Sequence, residues 1–87
     1  MKPYDPTWLV ALARAQRPDE PWLPAALARC TSVEEESRAF YRFVDPGAPD
    51  WRFERNVTLD GGREGTLVLD VLEGNRVGGV EFLARLR

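Results

Sequence analysis

Thr66-Leu67-Val68-Leu69-Asp70-Val71-Leu72, the dipeptide Gly74-Asn75, and Arg76-Val77-Gly78-Gly79-Val80-Glu81-Phe82-Leu83 decide the fold of this chain. The two runs alternate in period two, and Gly74 and Asn75 both tolerate positive φ. The pattern predicts two antiparallel strands joined by a two-residue turn. With Glu73 opposite Arg76, Val71 falls opposite Gly78, Leu69 opposite Val80 and Leu67 opposite Phe82. One face of the hairpin is then Leu67, Leu69, Val71, Val80 and Phe82, which has to pack on apolar partners. The other face carries Val68, Asp70, Leu72, Val77, Gly79, Glu81 and Leu83, a mixture of apolar and charged groups.

Upstream, Trp51 to Leu59 repeats the period of two. Trp51, Phe53, Val57 and Leu59 share one side, Arg52, Glu54, Asn56 and Thr58 the other, and Arg55 alone interrupts the apolar row. Asp60-Gly61-Gly62-Arg63-Glu64-Gly65 is a turn-rich connection. Residues 50–85 therefore predict a three-stranded antiparallel β-meander.

Residues 1–45 read as helical. Asp5 can cap a helix that opens on Pro6, where the missing N–H costs nothing. Trp8, Leu9 and Leu12 follow at helical spacing, Arg14 and Arg17 oppose the helix dipole, and Pro18 stops the run. A second short helix starts near Asp19 to Pro21 and presents Trp22, Leu23, Ala26, Leu27 and Cys30 as an apolar stripe. Thr31 with Glu34, or Ser32 with Glu35, has the spacing of a capping box and predicts a third helix. Its buried face would be Ala39, Phe40, Phe43 and Val44, with Arg38 and Arg42 pairing at i, i+4 with Glu34 or Glu35. Pro46, Gly47 and Pro49 close this half. The fold class expected is α+β, with two or three short N-terminal helices packed on the meander in a single domain spanning 1–87.

The composition narrows the function classes. A chain of 87 residues and 9.9 kDa with 44% hydrophobic and 30% charged residues is globular, with a thin core. Twelve basic against fourteen acidic residues leave a net charge of -2, which does not suggest nucleic-acid binding. With no His and one Cys, zinc-ligand sets, imidazole acid–base chemistry and an internal disulfide are excluded. The N-terminal apolar run is too short and too broken for a signal peptide, and no stretch approaches a membrane span. Asn56-Val57-Thr58 matches a glycosylation sequon, read as coincidence without a secretory signal. Eleven Arg to one Lys and the absence of Ile suggest a GC-rich bacterial genome, and a lone Cys30 fits a reducing cytoplasm.

Asp70, Asn75, Gly79, Glu81 and Leu83, with Val80 in place of a usual Ile, carry a resemblance. The last third of the chain resembles the C-terminal hairpin of a family of very short bacterial proteins of unknown function, whose ending is an Asp, a Gly or Asn, then Gly-Ile-Glu-x-Leu. The resemblance implies a small antiparallel sheet ending in this hairpin and brings no assigned activity.

Two readings of function follow. Asp70 and Glu81 lie on one face as a diagonal pair, where they could hold a divalent cation or share a proton, or could simply keep the face wet. Cys30, away from any activating group, reads as a core residue. Gly78-Gly79 could allow close approach of another backbone or a ligand, or could mark a bulge or a bend over a bulky neighbour such as Trp51. Trp8, Trp22 and Trp51 supply core bulk, and any that stays exposed becomes a binding anchor. The mixed face cannot be buried by one helical layer. The first reading is therefore a non-enzymatic protein-interaction module without cofactor, using that face and the terminal strand. Its partner is another protein or, in the favoured form, a second copy in a homodimer. The alternative is a small metal-binding or acid-based enzyme centred on Asp70 and Glu81.

Overall fold

The first helix opens at Thr7 with Pro6 at the N-cap position, one residue later than expected, and Asp5 Oδ1 just ahead of it accepts the Thr7 N–H at 3.0 Å and the Thr7 hydroxyl at 2.6 Å. This helix, α1 (Thr7–Gln16), buries Leu9 and Ala13, and helix α2 (Trp22–Ala28) buries Leu23, Ala26 and Leu27. Pro24 sits in the first turn of α2, where a proline ring displaces no hydrogen bond. The structure, a computed structural model, describes residues 1–45 and 51–86. Pro46, Gly47 and Pro49, expected to end the helical half, lie outside the described residues.

The described residues form an α+β fold with six strands rather than three. These are β1 (Lys2–Pro3), β2 (Ser32–Ser37), β3 (Phe40–Phe43), β4 (Phe53–Asp60), β5 (Thr66–Leu72) and β6 (Arg76–Phe82). They make one sheet in the order β1-β2-β3-β6-β5-β4, with every neighbouring pair antiparallel. The expected meander is present as β4-β5-β6, and β3 returns to pair with β6, a Greek-key order for the last four strands.

The third helix does not form. Residues 31–44 make the β2–β3 hairpin instead, so the first half is not wholly helical. The same charges serve a different geometry. Glu34 lies across the ladder from Arg42, whose guanidinium reaches Glu34 Oε2 at 2.7 Å and Glu36 Oε1 at 2.8 Å. The Ser37 hydroxyl closes the turn by accepting the N–H groups of Ala39 and Phe40 at 3.2 and 3.1 Å. Local spacing alone could not separate the two outcomes, because Glu and Arg can pair along a helix or across a hairpin.

One core holds the fold together. Leu9, Leu23 and Leu27 of the helices meet Val33, Leu59, Leu67, Leu69, Val71, Val80 and Phe82 of the sheet. Both helices therefore cover the same face. Burying one such side chain stabilises by about 1.5–3 kcal/mol. Arg55, the residue that interrupted the apolar row, does point inward: it pairs opposite Val71, lies 5.2 Å over the Trp22 ring and reaches Glu20 at 3.5 Å. A second device ties the chain's end to the core. Arg85 stacks 3.9 Å over Phe82, donates to the Tyr41 hydroxyl at 3.2 Å and pairs with Glu64 at 2.7 Å.

The sheet register departs from expectation at two points. Leu69 opposes Val80 and Leu67 opposes Phe82 as read from the sequence, but Val71 opposes Val77, with a bulge that leaves Gly78 out of the pairing. Leu72 then opposes Arg76, so the turn has three residues, Glu73 to Asn75, with positive φ at Gly74 and Asn75. A second irregularity lies between Phe53 and Arg55 and puts Phe53 opposite Leu72. Each extra residue turns the strand over beyond it, because side chains alternate with period two.

Candidate outer-face binding surface

The face of the sheet away from the helices is built from complete cross-strand rows. Asn56, Asp70, Gly79, Arg42 and Glu34 follow one another across five strands, and Thr58, Val68, Glu81, Phe40 and Ser37 form the next row. Phe53, Leu72 and Arg76 make a third row nearest the β5–β6 turn. Among the described residues no helix packs on these rows.

Of the expected interaction residues, Val68, Asp70, Leu72, Gly79 and Glu81 share this face, and Leu83 follows β6 in an exposed short 3-10 turn. Val77 does not. The bulge at Gly78 turns it inward, where it joins the core opposite Val71. The terminal strand offers no edge either, because β6 lies between β3 and β5.

Sequence reading missed three aromatic contributors. Trp51 and Phe53, expected beside Val57 and Leu59, are 45% and 51% exposed, and the bulge has moved Phe53 to the outer row. A Cβ at Gly78 would come within 2.8 Å of both the Trp51 ring and Leu72, so the glycine lets these two settle against the strand. Phe40, expected on a helix, lies over Gly79, where a Cβ would meet its ring at 2.9 Å. The glycine pair is thus a bulge with two large residues over it, as one of its two expected meanings required. An Arg or Gly inside an otherwise regular alternation was the available signal for these reversals.

The electrostatics of the face are uneven. Arg42 is held towards the β2 side by Glu34 and Glu36. Asp70 accepts the Asn56 amide at 2.9 Å, and Asn56 also donates to the Leu69 carbonyl at 3.3 Å. The Glu81 side chain makes no hydrogen bond or ion pair with the described residues. The Asp70 carboxyl is pushed above the ordinary aspartate range, first by burial and further by Glu81 nearby, while the Asn56 hydrogen bond opposes the rise. Two carboxylates with no cation therefore lie diagonally beside Gly79. No group of three or more His, Cys, Asp or Glu able to hold a metal occurs among the described residues.

No family model matches this chain, and no curated protein or solved structure matches it either.

A cleft near the β4 edge is partly in use. This open cleft, lined by Gln16, Arg17, Asp19, Thr58, Asp60 and Thr66, has its Gln16 and Arg17 side chains engaged. Gln16 bonds the Asp60 backbone, and Arg17 Nη2 donates to the Thr58 carbonyl at 2.9 Å. Cys30 is buried with its thiol pushed up to about 12, chiefly by burial, and is a core residue. No helix among the described residues is long and apolar enough to cross a membrane.

Proposed function

We propose that this protein is a non-enzymatic interaction module that binds a protein partner through the outer sheet face. The observation carrying this reading is that face itself, where Trp51 and Phe53 stay exposed and Phe40 is half-buried, with no described helix over them. The strands lie about 4.8 Å apart, and β4, β5 and β6 run about 23–26 Å, whereas β1, β2 and β3 have two, six and four residues. The edges are poorer candidates. Gln16 and Arg17 cap part of β4, and β1 ends on Pro3 beside the acidic β2 strand. The occupant is a different protein or a second copy forming a homodimer, and the site works in the cytoplasm without a cofactor.

A photo-crosslinking residue placed at Phe53, with Ala11 on the exposed helical side as comparison, tests the reading in cells. A discrete adduct from position 53 and none from position 11 is the expected result. An adduct of twice the chain's mass identifies a second copy. Adducts from position 11 alone, or from neither position, overturn the proposal.

A further inference from the structure

The partner surface can be specified further, on the basis of the interaction reading above. Glu20, Glu34, Glu35, Glu36, Glu54 and Glu64 each have a Lys or Arg within ion-pair distance. Asp70 and Glu81, at the centre of the uncovered face, have none among the described residues. Their nearest basic neighbour in the row, Arg42, is drawn to the far side by two glutamates. Between them Gly79 supplies no side chain, and the Phe40 ring lies over that glycine. Two carboxylates and an aromatic ring thus border one spot, and the exposed Phe53 and Trp51 continue the surface beside buried Leu72 of β5.

We propose that the partner is a different protein presenting an arginine beside an apolar anchor. The arginine sits between Asp70 and Glu81 against Phe40, and the apolar residue meets the exposed Phe53 and Trp51. Charge complementarity selects this occupant. A planar guanidinium has enough donors to serve both carboxylates and stacks on an aromatic ring, which a lysine ammonium does less well. Phe53 lies in the row of Leu72, two residues along β5 from Asp70, so the two anchors lie about 7 Å apart along the strand direction. Face-to-face packing of a second copy about a two-fold axis through this face would set Asp70 and Glu81 against their own counterparts, which repel. Arrival of a cation also offsets the repulsion from Glu81, which adds to burial in raising the Asp70 carboxyl above the ordinary aspartate range.

The test is a titration of isotope-labelled protein with the peptide acetyl-Gly-Arg-Gly-Leu-amide, followed by amide and indole resonances. The same peptide with Glu in place of Arg serves as control. The Arg peptide is expected to shift Phe40, Asp70, Gly79, Glu81 and the Trp51 indole saturably. Asp70→Asn and Glu81→Gln are each expected to weaken it by about tenfold, the scale of one charge-assisted contact. Asp19→Asn removes the same charge far from the face and leaves the affinity unchanged. Equal response to the Glu peptide, or equal loss in Asp19→Asn and Glu81→Gln, overturns the arginine seat. So does an absence of saturable shifts at these residues. An adduct at position 53 that persists in Glu81→Gln alongside such a result leaves the interaction reading standing and sinks only the arginine.

Discussion

The Gln16 carboxamide pairs with the Asp60 backbone as a neighbouring strand would, donating to its carbonyl and accepting its N–H, both at 2.8 Å. The last turn of α1 thereby covers one end of the β4 edge, and Arg17 adds a bond to Thr58. Gln16→Ala removes both bonds and is expected to cost about 1–2 kcal/mol. Urea denaturation checks the cost. Sedimentation at high concentration should also show new self-association through the freed edge. An unchanged midpoint would show that the clamp contributes nothing.

The two adjacent glycines are not equivalent. A Cβ at Gly79 would lie 2.9 Å from the Tyr41 carbonyl oxygen, and backbone cannot swing aside. At Gly78 the crowding atoms are the Leu72 and Trp51 side chains, which can. Gly79→Ala is expected to destabilise by about 1–3 kcal/mol, and Gly78→Ala by less, with the Trp51 emission shifted to the red. Denaturation of the two variants in a background with Trp8 and Trp22 replaced by Phe gives both readouts. The reverse order would contradict the contacts described.

Asp70 should make the fold less stable as pH rises. Its carboxyl titrates above the ordinary aspartate value of 3.8 when folded, so between the unfolded and folded values the native state binds more protons. Stability from this group is present below the unfolded value and is lost as pH climbs through the folded one. Asp70→Asn, which keeps an acceptor for Asn56, should gain less than about 1 kcal/mol at pH 7 after solvent screening. Thermal melts of both proteins across pH 3 to 7 would show the two curves converging at the acid end. Divergence there would assign the wrong sign.

Arg85 secures the C-terminal turn through Phe82, Tyr41, Glu64 and the Arg38 carbonyl. Arg85→Lys keeps a charge but loses the planar stack and the forked donors, so it should behave nearly as Arg85→Ala. Each is expected to cost about 1–2 kcal/mol and to speed hydrogen exchange at residues 83–86. Full rescue by lysine would reduce the contact to simple charge pairing.

A thiol pushed up to about 12 is almost wholly protonated at neutral pH. Native Cys30 should react with a disulfide reagent at pH 8 at least about a thousandfold more slowly than a free thiol, and at the ordinary rate once urea unfolds the chain. Rapid labelling of the native protein would mean that the core opens readily around α2.

Much of the architecture was legible in the residues themselves. Asp5 and Pro6, the Leu23-Ala26-Leu27 stripe and the alternation of Thr66 to Phe82 are local signals, because a cap, a helical stripe or a strand period is written in neighbouring positions. From the same alternation the sequence also determined that Asp70 and Glu81 share a face. It could not determine residues 31–44, where Glu34, Glu36 and Arg42 satisfy a helix or a hairpin equally well. Only the open edge of β6 beside β3 decides in favour of the strand. Nor could it place Trp51, Phe53 and Val77, since one bulged residue on each strand reverses every side chain beyond it. Tertiary structure alone made those three choices, because strand pairing and bulge position depend on contacts between residues far apart in the chain.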